Sequence, residues 1–218
     1  LIIMKIQILI SKSSWANKHK KHIKTELKKF CKKITFLNNH RNLKKNYDLN
    51  IVFSYFKVIP KKFLSLSKAN IIPHESKLPN GRGMSPLTWQ ILENKNKIFF
   101  SLIDASSKID NGVIYFQKKV KIEKNLIFDE IKKIQLKENI KLVLKFIKFY
   151  KKKKKIPFGK KQIGKSTYYK RRRVNDSELN INDSIKNQFN LMRTADKRNY
   201  PTFFKIYGKK FKIILSKI

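Results

Sequence analysis

With 218 residues the chain can bury one substantial core, and one domain with an appendage is expected rather than two full domains. Its single cysteine, Cys31, excludes an intramolecular disulfide, argues against a Cys-based zinc site and fits a reducing cytoplasm. Lys and Arg outnumber Asp and Glu by 53 to 14, a formal net charge of +39 that attracts phosphorylated ligands in a salt-sensitive way. Nucleic acid is the obvious polyanion. The lysines, however, are spread along the whole length among abundant Asn and Ile, and all three residues have AT-rich codons, so codon drift accounts for the excess better than selection for a polyanion.

Leu1 to Ile10 is apolar but broken by Lys5 and Gln7, too short to span a bilayer, and lacks a small-residue cleavage site. It reads as a first strand, Ile6 to Ile10; a chain starting at Met4 leaves Leu1, Ile2 and Ile3 as an upstream extension. The following turn, Ser11-Lys12-Ser13-Ser14-Trp15, lacks the Gly-rich dinucleotide fingerprint, and no Walker-type phosphate loop occurs. Ile23, Leu27, Phe30 and Ile34 then recur at helical spacing. Leu49 to Ser54 predicts a second buried strand, and Pro60 opens a short helix through Leu64. Asn70-Ile71-Ile72 predicts a third strand that delivers His74 to its carboxyl end, where ligands gather in open α/β sheets.

The run from His74 through Leu78-Pro79-Asn80-Gly81-Arg82-Gly83 combines a histidine, a stiff proline, two glycines and a lone arginine, which builds a shaped loop. Pro86 to Glu93 reads as a helix with Trp89 on its apolar face. Lys97 to Ile103 and Val113 to Gln117 read as two strands around a turn. Ile127 to Tyr150 is a long amphipathic helix with Ile131, Ile134, Ile140, Val143, Leu144 and Ile147 on its buried side. The five lysines from Lys151 to Lys155 read as a solvated linker, dividing a domain at 1–150 from an extension at 151–218. In the extension, Tyr168-Tyr169 stand beside Lys170 to Arg173, helical spacing resumes from Ile185 to Arg193, and Tyr200, Phe203 and Phe204 dock the tail on the core. Strands alternating with helices predict an α/β fold with a mostly parallel sheet.

Alone, His74 reads as an ordinary loop histidine and Asp110-Asn111-Gly112 as a plain turn. Paired across a cleft, the carboxylate would orient the imidazole and raise its basicity, and a proton could leave an attacking nucleophile.

These residues also resemble a known family, the folate-dependent formyltransferases. Ser54 to Pro60 resembles the family's second-strand segment flanking the pterin pocket. His74, Ser76 and Leu78-Pro79 keep the spacing of its signature, Gly81-Arg82-Gly83 resembles the loop that follows, and Asp110, Gly112 and Gln117 fit its Asp, Gly and Gln pattern. One position departs: Ile72 stands where the family usually has Asn, and Asn70 is about 7 Å further back along the strand. The resemblance thus leaves an oxyanion to His74 and backbone N–H groups, and loss of one such donor costs on the order of 100-fold in rate. In the tail, Tyr168-Tyr169, Arg172, Asp176-Ser177, Leu179-Asn180, Phe189-Asn190, Arg193, Asp196 and Tyr200-Pro201 resemble sugar-modifying members, with Val174 in a Pro slot.

The resemblance implies a Rossmann-like formyltransferase domain with a short C-terminal extension, using 10-formyltetrahydrofolate as formyl donor and no metal. It implies His74 and Asp110 as the catalytic pair, and Phe56, Val58, Ile59, Arg82 and Gly83 around the donor. Tyr169, Arg172 and Arg173 are the residues expected to bind the acceptor, Arg172 and Arg173 through a phosphate. A nucleotide-linked aminosugar is the preferred acceptor, because the tail is similar to sugar-modifying members and the chain ends before the separate β-barrel of the tRNA-modifying ones. Methionyl-tRNA, favoured by the charge, stays open as acceptor, as do a homodimer and a weakened folate- or RNA-binding homologue. A cytoplasmic protein without a membrane partner is expected.

Overall fold

The computed structural model describes residues 4–218, so the reading of residues 1–3 as an upstream extension lies outside the described residues. Strand β1 (Met4–Leu9) leads into helix α1 (Lys20–Lys28), strands β2 (Cys31–Leu37) and β3 (Tyr47–Val52), the short helix α2 (Lys61–Leu64) and strand β4 (Ser67–His74). These four strands run parallel in the order β2-β1-β3-β4. Strands β6 (Lys97–Asp104) and β7 (Ile114–Lys121) complete the six-stranded sheet antiparallel to their neighbours, so the mostly parallel sheet expected from the sequence is present. Between β4 and β6 lie the two-residue strand β5 (Arg82–Gly83) and helix α3 (Pro86–Leu92).

Period-two alternation sorts the side chains of the sheet. Ile8, Ile51 and Ile71 enter a large core under α1 and helix α4 (Phe128–Lys153), whereas Leu9, Val52 and Ile72 enter a smaller cluster with Ile59, Leu64 and Ala105 on the opposite face. The large core carries most of the apolar burial, at roughly 1.5–3 kcal/mol per large aliphatic side chain. Among the described residues, no helix is long and apolar enough to cross a membrane.

Three local expectations are corrected. Ile34 is not on the first helix: the chain turns at Phe30, whose N–H donates to Leu27 O, and Ile34 pairs with Ile6 from within β2. The backbone ladder to β1 overrides the helical spacing, because strand formation depends on the neighbour available. Trp89 does not face the core. It stacks on Tyr169 with ring centroids 6.4 Å apart and donates from Nε1 to Lys170 O, while Leu87 and Ile91 take the buried side. The linker also starts later than Lys151, since α4 continues to Lys153 and ends at Lys154 in the left-handed region (φ 56°), its N–H donating to Tyr150 O.

Beyond α4 the chain returns to the sheet. Lys160 bridges Ile114, and β8 (Tyr168–Tyr169) pairs with β5. Helix α5 (Ile185–Thr194) and a hairpin of β9 (Thr202–Ile206) and β10 (Lys209–Ile213) follow. Phe203 is buried and its carbonyl accepts from Leu179 N–H, whereas Phe204 stacks on Phe211 within the hairpin.

Candidate active site

Strand β4 ends at His74, on the side of the strand shared with Ile72. The His74 side chain is only 6% exposed. Its Nε2 lies 2.8 Å from Gly81 O; a carbonyl only accepts, so Nε2 carries the hydrogen and Nδ1 is left as the basic atom. Nδ1 faces Asp110 Oδ2 at 3.6 Å, a charge-pair distance rather than a hydrogen bond. The ring is therefore oriented by Gly81, and the carboxylate is in turn fixed by Gly83 N–H, which donates to Oδ2 at 2.9 Å. Asp110 itself is held at φ 45°, a left-handed conformation that Asp tolerates better than most residues.

Both residues line one cavity of about 260 Å³. Val52, Phe53, Phe56, Val58, Ile59 and Ile72 give it an apolar flank at the carboxyl ends of β3 and β4. The loops after β1 and β3 that shape this flank are tied together by Phe56 N–H donating to Ser11 Oγ and by the Ser14–Ser54 hydroxyl pair. A second flank is polar and comes from α4, where Lys132, Gln135 and Asn139 project at helical spacing. Asn139 Nδ2 donates to Glu75 Oε1 at 2.7 Å, and Lys132 Nζ donates to Gln135 Oε1 at 2.8 Å. Burial pushes the Lys132 ammonium down to about 8 against the opposing pull of Glu75 and Asp196.

The expected site residues are divided by this geometry. Phe56, Val58, Ile59, Gly83 and Arg172 share the cavity with His74 and Asp110. Arg82, Tyr169 and Arg173 do not. Arg82 turns away: its Nε and Nη2 donate to Gln162 Oε1 and its Nη1 to Tyr168 Oη. Tyr169 is taken up by Trp89 and by a hydrogen bond from its hydroxyl to Glu93. Arg173 is exposed, and Asp176 engages its backbone twice: the Arg173 N–H donates to Asp176 Oδ2 and its carbonyl accepts from Asp176 N–H. Arg172 is buried, its Nη2 donating to Asp176 O and Ser177 Oγ while Nη1 has no partner, and burial lowers its pKa from the ordinary value.

Asn70 does not reach His74. Its side chain bonds to Asn50 and to Leu64 O, and Ile72 lines the cavity in its stead. Arg193 is also structural, its Nη1 donating to Glu123 O and Leu126 O. Sequence reasoning missed Glu75, Lys132, Gln135, Asn139 and Arg171 as cavity residues. Little in the sequence marks three of them: Lys132, Gln135 and Asn139 share one face of α4 at helical spacing, but Lys133, Lys137, Glu138 and Lys141 are interspersed with them, so their burial in the cavity is not announced by composition.

The family model for formyl transferases matches residues 5–147. A methionyl-tRNA formyltransferase from Thermodesulfovibrio yellowstonii is 30% identical over 152 residues, covering 68% of this chain and 48% of that protein. The chain thus spans about half, or less, of the length of the curated relatives it matches. The fold is similar to that of a solved methionyl-tRNA formyltransferase from Clostridium thermocellum, with a TM-score of 0.78 at 22% identity over 99% of this chain and 94% of that one. It is also similar to a sugar N-formyltransferase from a Shewanella species, with a TM-score of 0.67 at 16% identity over 97% of each chain.

Proposed function

Because the chain belongs to the formyl transferase family, we propose that it moves a formyl group from 10-formyltetrahydrofolate to a primary amine, the amine of a nucleotide-linked aminosugar. The observation that carries this reading is the meeting of His74 and Asp110 at the rim between an apolar and a polar flank of one cavity. The donor fits the apolar flank: Phe56, Val58, Ile59 and Ile72 offer a wall to a flat heteroaromatic ring, and Gly83 brings bare backbone to the cavity. When bound there, the donor supplies the formyl carbon that the amine attacks.

The chain's own residues manage the proton. In the neutral ring, whose one hydrogen is on Nε2 toward Gly81 O, His74 Nδ1 carries the lone pair that accepts the proton the amine loses. Asp110 stabilises the resulting imidazolium across 3.6 Å, and that imidazolium would return the proton to the donor nitrogen as its bond to the formyl carbon breaks, so that tetrahydrofolate leaves as the neutral amine. Arg172 and its exposed neighbour Arg171 line the cavity and offer guanidinium groups to a phosphate, a role for which Arg173 is badly placed.

The polar flank supports a hydroxylated acceptor. A hydroxyl both donates and accepts, and so can answer Glu75 and Lys132 together, whereas a methionyl thioether is only a weak acceptor. Methionyl-tRNA is the second reading, favoured by the name of the curated relative and by the +39 charge. The test is incubation with 10-formyltetrahydrofolate and, separately, aminosugar nucleotides or charged initiator tRNA across a salt series, reading release of tetrahydrofolate. Turnover on an aminosugar nucleotide is the expected result. Turnover on tRNA alone, with a steep loss at high salt, overturns the acceptor.

A further inference from the structure

One side chain of the C-terminal extension joins the two loops that build the site. Gln162 Nε2 donates to Asp110 O at 2.7 Å and to Gly112 O at 2.8 Å. Its Oε1 accepts from Arg82 Nη2 at 2.6 Å and from Arg82 Nε at 3.1 Å. The amide therefore spends both its donors on the Asp110 turn and its acceptor on the loop that runs from Gly81 to Gly83. Only an amide can do this, since a carboxylate has no hydrogen to donate and an ammonium cannot accept.

The two loops it joins are those that set the catalytic geometry. The Gly81 carbonyl orients His74, and the Gly83 N–H fixes the Asp110 carboxylate. Asp110 sits at φ 45°, a conformation that must be held by its surroundings, and its own carbonyl is one of the two that Gln162 caps. The neighbouring backbone reinforces the same junction: Arg82 N–H donates to Thr167 O, Gly81 N–H to Thr167 Oγ1, and Met84 N–H to Tyr169 O. A Cβ on Gly83 would collide with Tyr169 O, so the two segments approach as closely as bare backbone allows.

We infer that Gln162 is a positioning residue: it locks the Asp110 turn to the Arg82 loop, so that the Asp110 carboxylate stays on Gly83 N–H and facing His74. The inference rests on the proposed roles of His74 and Asp110. It also gives Arg82 a role, as the anchor of the lock from outside the cavity.

The test has a readout that needs no turnover. Arg82-Gly83 is the one Arg-Gly step in the sequence, so full-length protein labelled with carbonyl-13C arginine and 15N glycine assigns the Gly83 amide directly. In Gln162→Met the Gly83 amide proton is expected to move upfield and to exchange with solvent at least ~10-fold faster, as its bond to Asp110 is released. Misplacement of catalytic groups by about 1 Å costs about 100-fold, so kcat should fall to that extent while KM for 10-formyltetrahydrofolate stays within about twofold. Gln162→Glu, which keeps an acceptor for Arg82 but loses both donors, should move Gly83 in the same direction and covers the case in which the Met variant does not fold.

A folded variant, judged by a cooperative urea transition and a wild-type far-UV circular dichroism spectrum, that leaves Gly83 in place overturns the lock. A shifted Gly83 with wild-type kcat overturns its catalytic part. If the wild type transfers no formyl group to any acceptor, the proposed function fails while the Gly83 amide still decides whether Gln162 holds the turn.

Discussion

His74 Nδ1 faces Asp110 Oδ2 across 3.6 Å, while the opposite ring nitrogen is tied to Gly81 O at 2.8 Å. The carboxylate is therefore placed to act by charge once the ring is protonated, rather than to set the orientation of the ring. Asp110→Asn keeps an oxygen for Gly83 N–H and removes only the charge. Its kcat should fall by about 100-fold or more, the range of acid–base catalysis, with His74→Ala falling at least as far. Wild-type kcat in Asp110→Asn would show that the carboxylate is a structural acceptor for Gly83 alone.

Ile72 is on the same side of β4 as His74 and lines the same cavity. In the proposed reaction an amide at this position would offer a hydrogen-bond donor beside His74 to the oxyanion that forms. Ile72→Asn should therefore raise kcat by roughly tenfold or more, at a cost of about 1–2 kcal/mol in stability because a polar side chain packs poorly in the cluster around Leu9 and Ile59. Steady-state kinetics and urea unfolding of the one variant measure both effects. An unchanged kcat would mean that backbone N–H groups already serve the oxyanion.

How much of this was legible beforehand depended on whether a residue's partner was near in sequence. The buried strand around Ile51 and the long helix were readable because their periodicity reports a face that the chain must bury. Strand β2 was hidden because Ile34 is recruited by hydrogen bonds to β1, where its register partner Ile6 is 28 residues earlier, and its lysines blur the alternation. His74 and Asp110 could be paired through motif and topology, but the orienting role of Gly81 could not, because it arises from loop geometry. Arg82 shows the limit most clearly. Its position in the motif suggests a ligand contact, yet its guanidinium is drawn outward by Gln162 and Tyr168, residues in the extension whose return to the sheet no local pattern announces.

Gly112 lies against the carbonyl of Asp104, and a Cβ there would overlap that main-chain oxygen. Backbone cannot yield as a flexible side chain would. Gly112→Ala should cost at least ~2 kcal/mol and lower Tm accordingly. Gly208→Ala is the internal comparison: it has a positive φ of 71° but open space around its Cβ, so its cost should stay near ~1 kcal/mol. Equal losses in the two variants would mean that the Asp110 turn shifts freely, against its being held between Asp104 and Gln162.

Lys132 is buried with a single hydrogen bond, to Gln135, and its Nζ lies 5.0 Å from the Trp15 ring and 5.5 Å from that of Phe128. Burial lowers its pKa from 10.5 to about 8. The folded state thus binds this proton less tightly than the unfolded state. Between those two values the unfolded chain carries more protons, so the residue's contribution to stability rises with pH across the window and is least favourable below pH 8. The fall corresponds to about 3 kcal/mol. Lys132→Met keeps the length and removes the titration, so it should be more stable than the wild type at pH 7, with the gap narrowing by about 2 kcal/mol at pH 9.5. Comparing the two proteins at each pH by urea unfolding cancels the titration of the other lysines. A gap that does not change with pH would mean that the two aromatic rings offset the burial and keep the ammonium charged, in which case the polar flank presents a full cation to the acceptor throughout the neutral range.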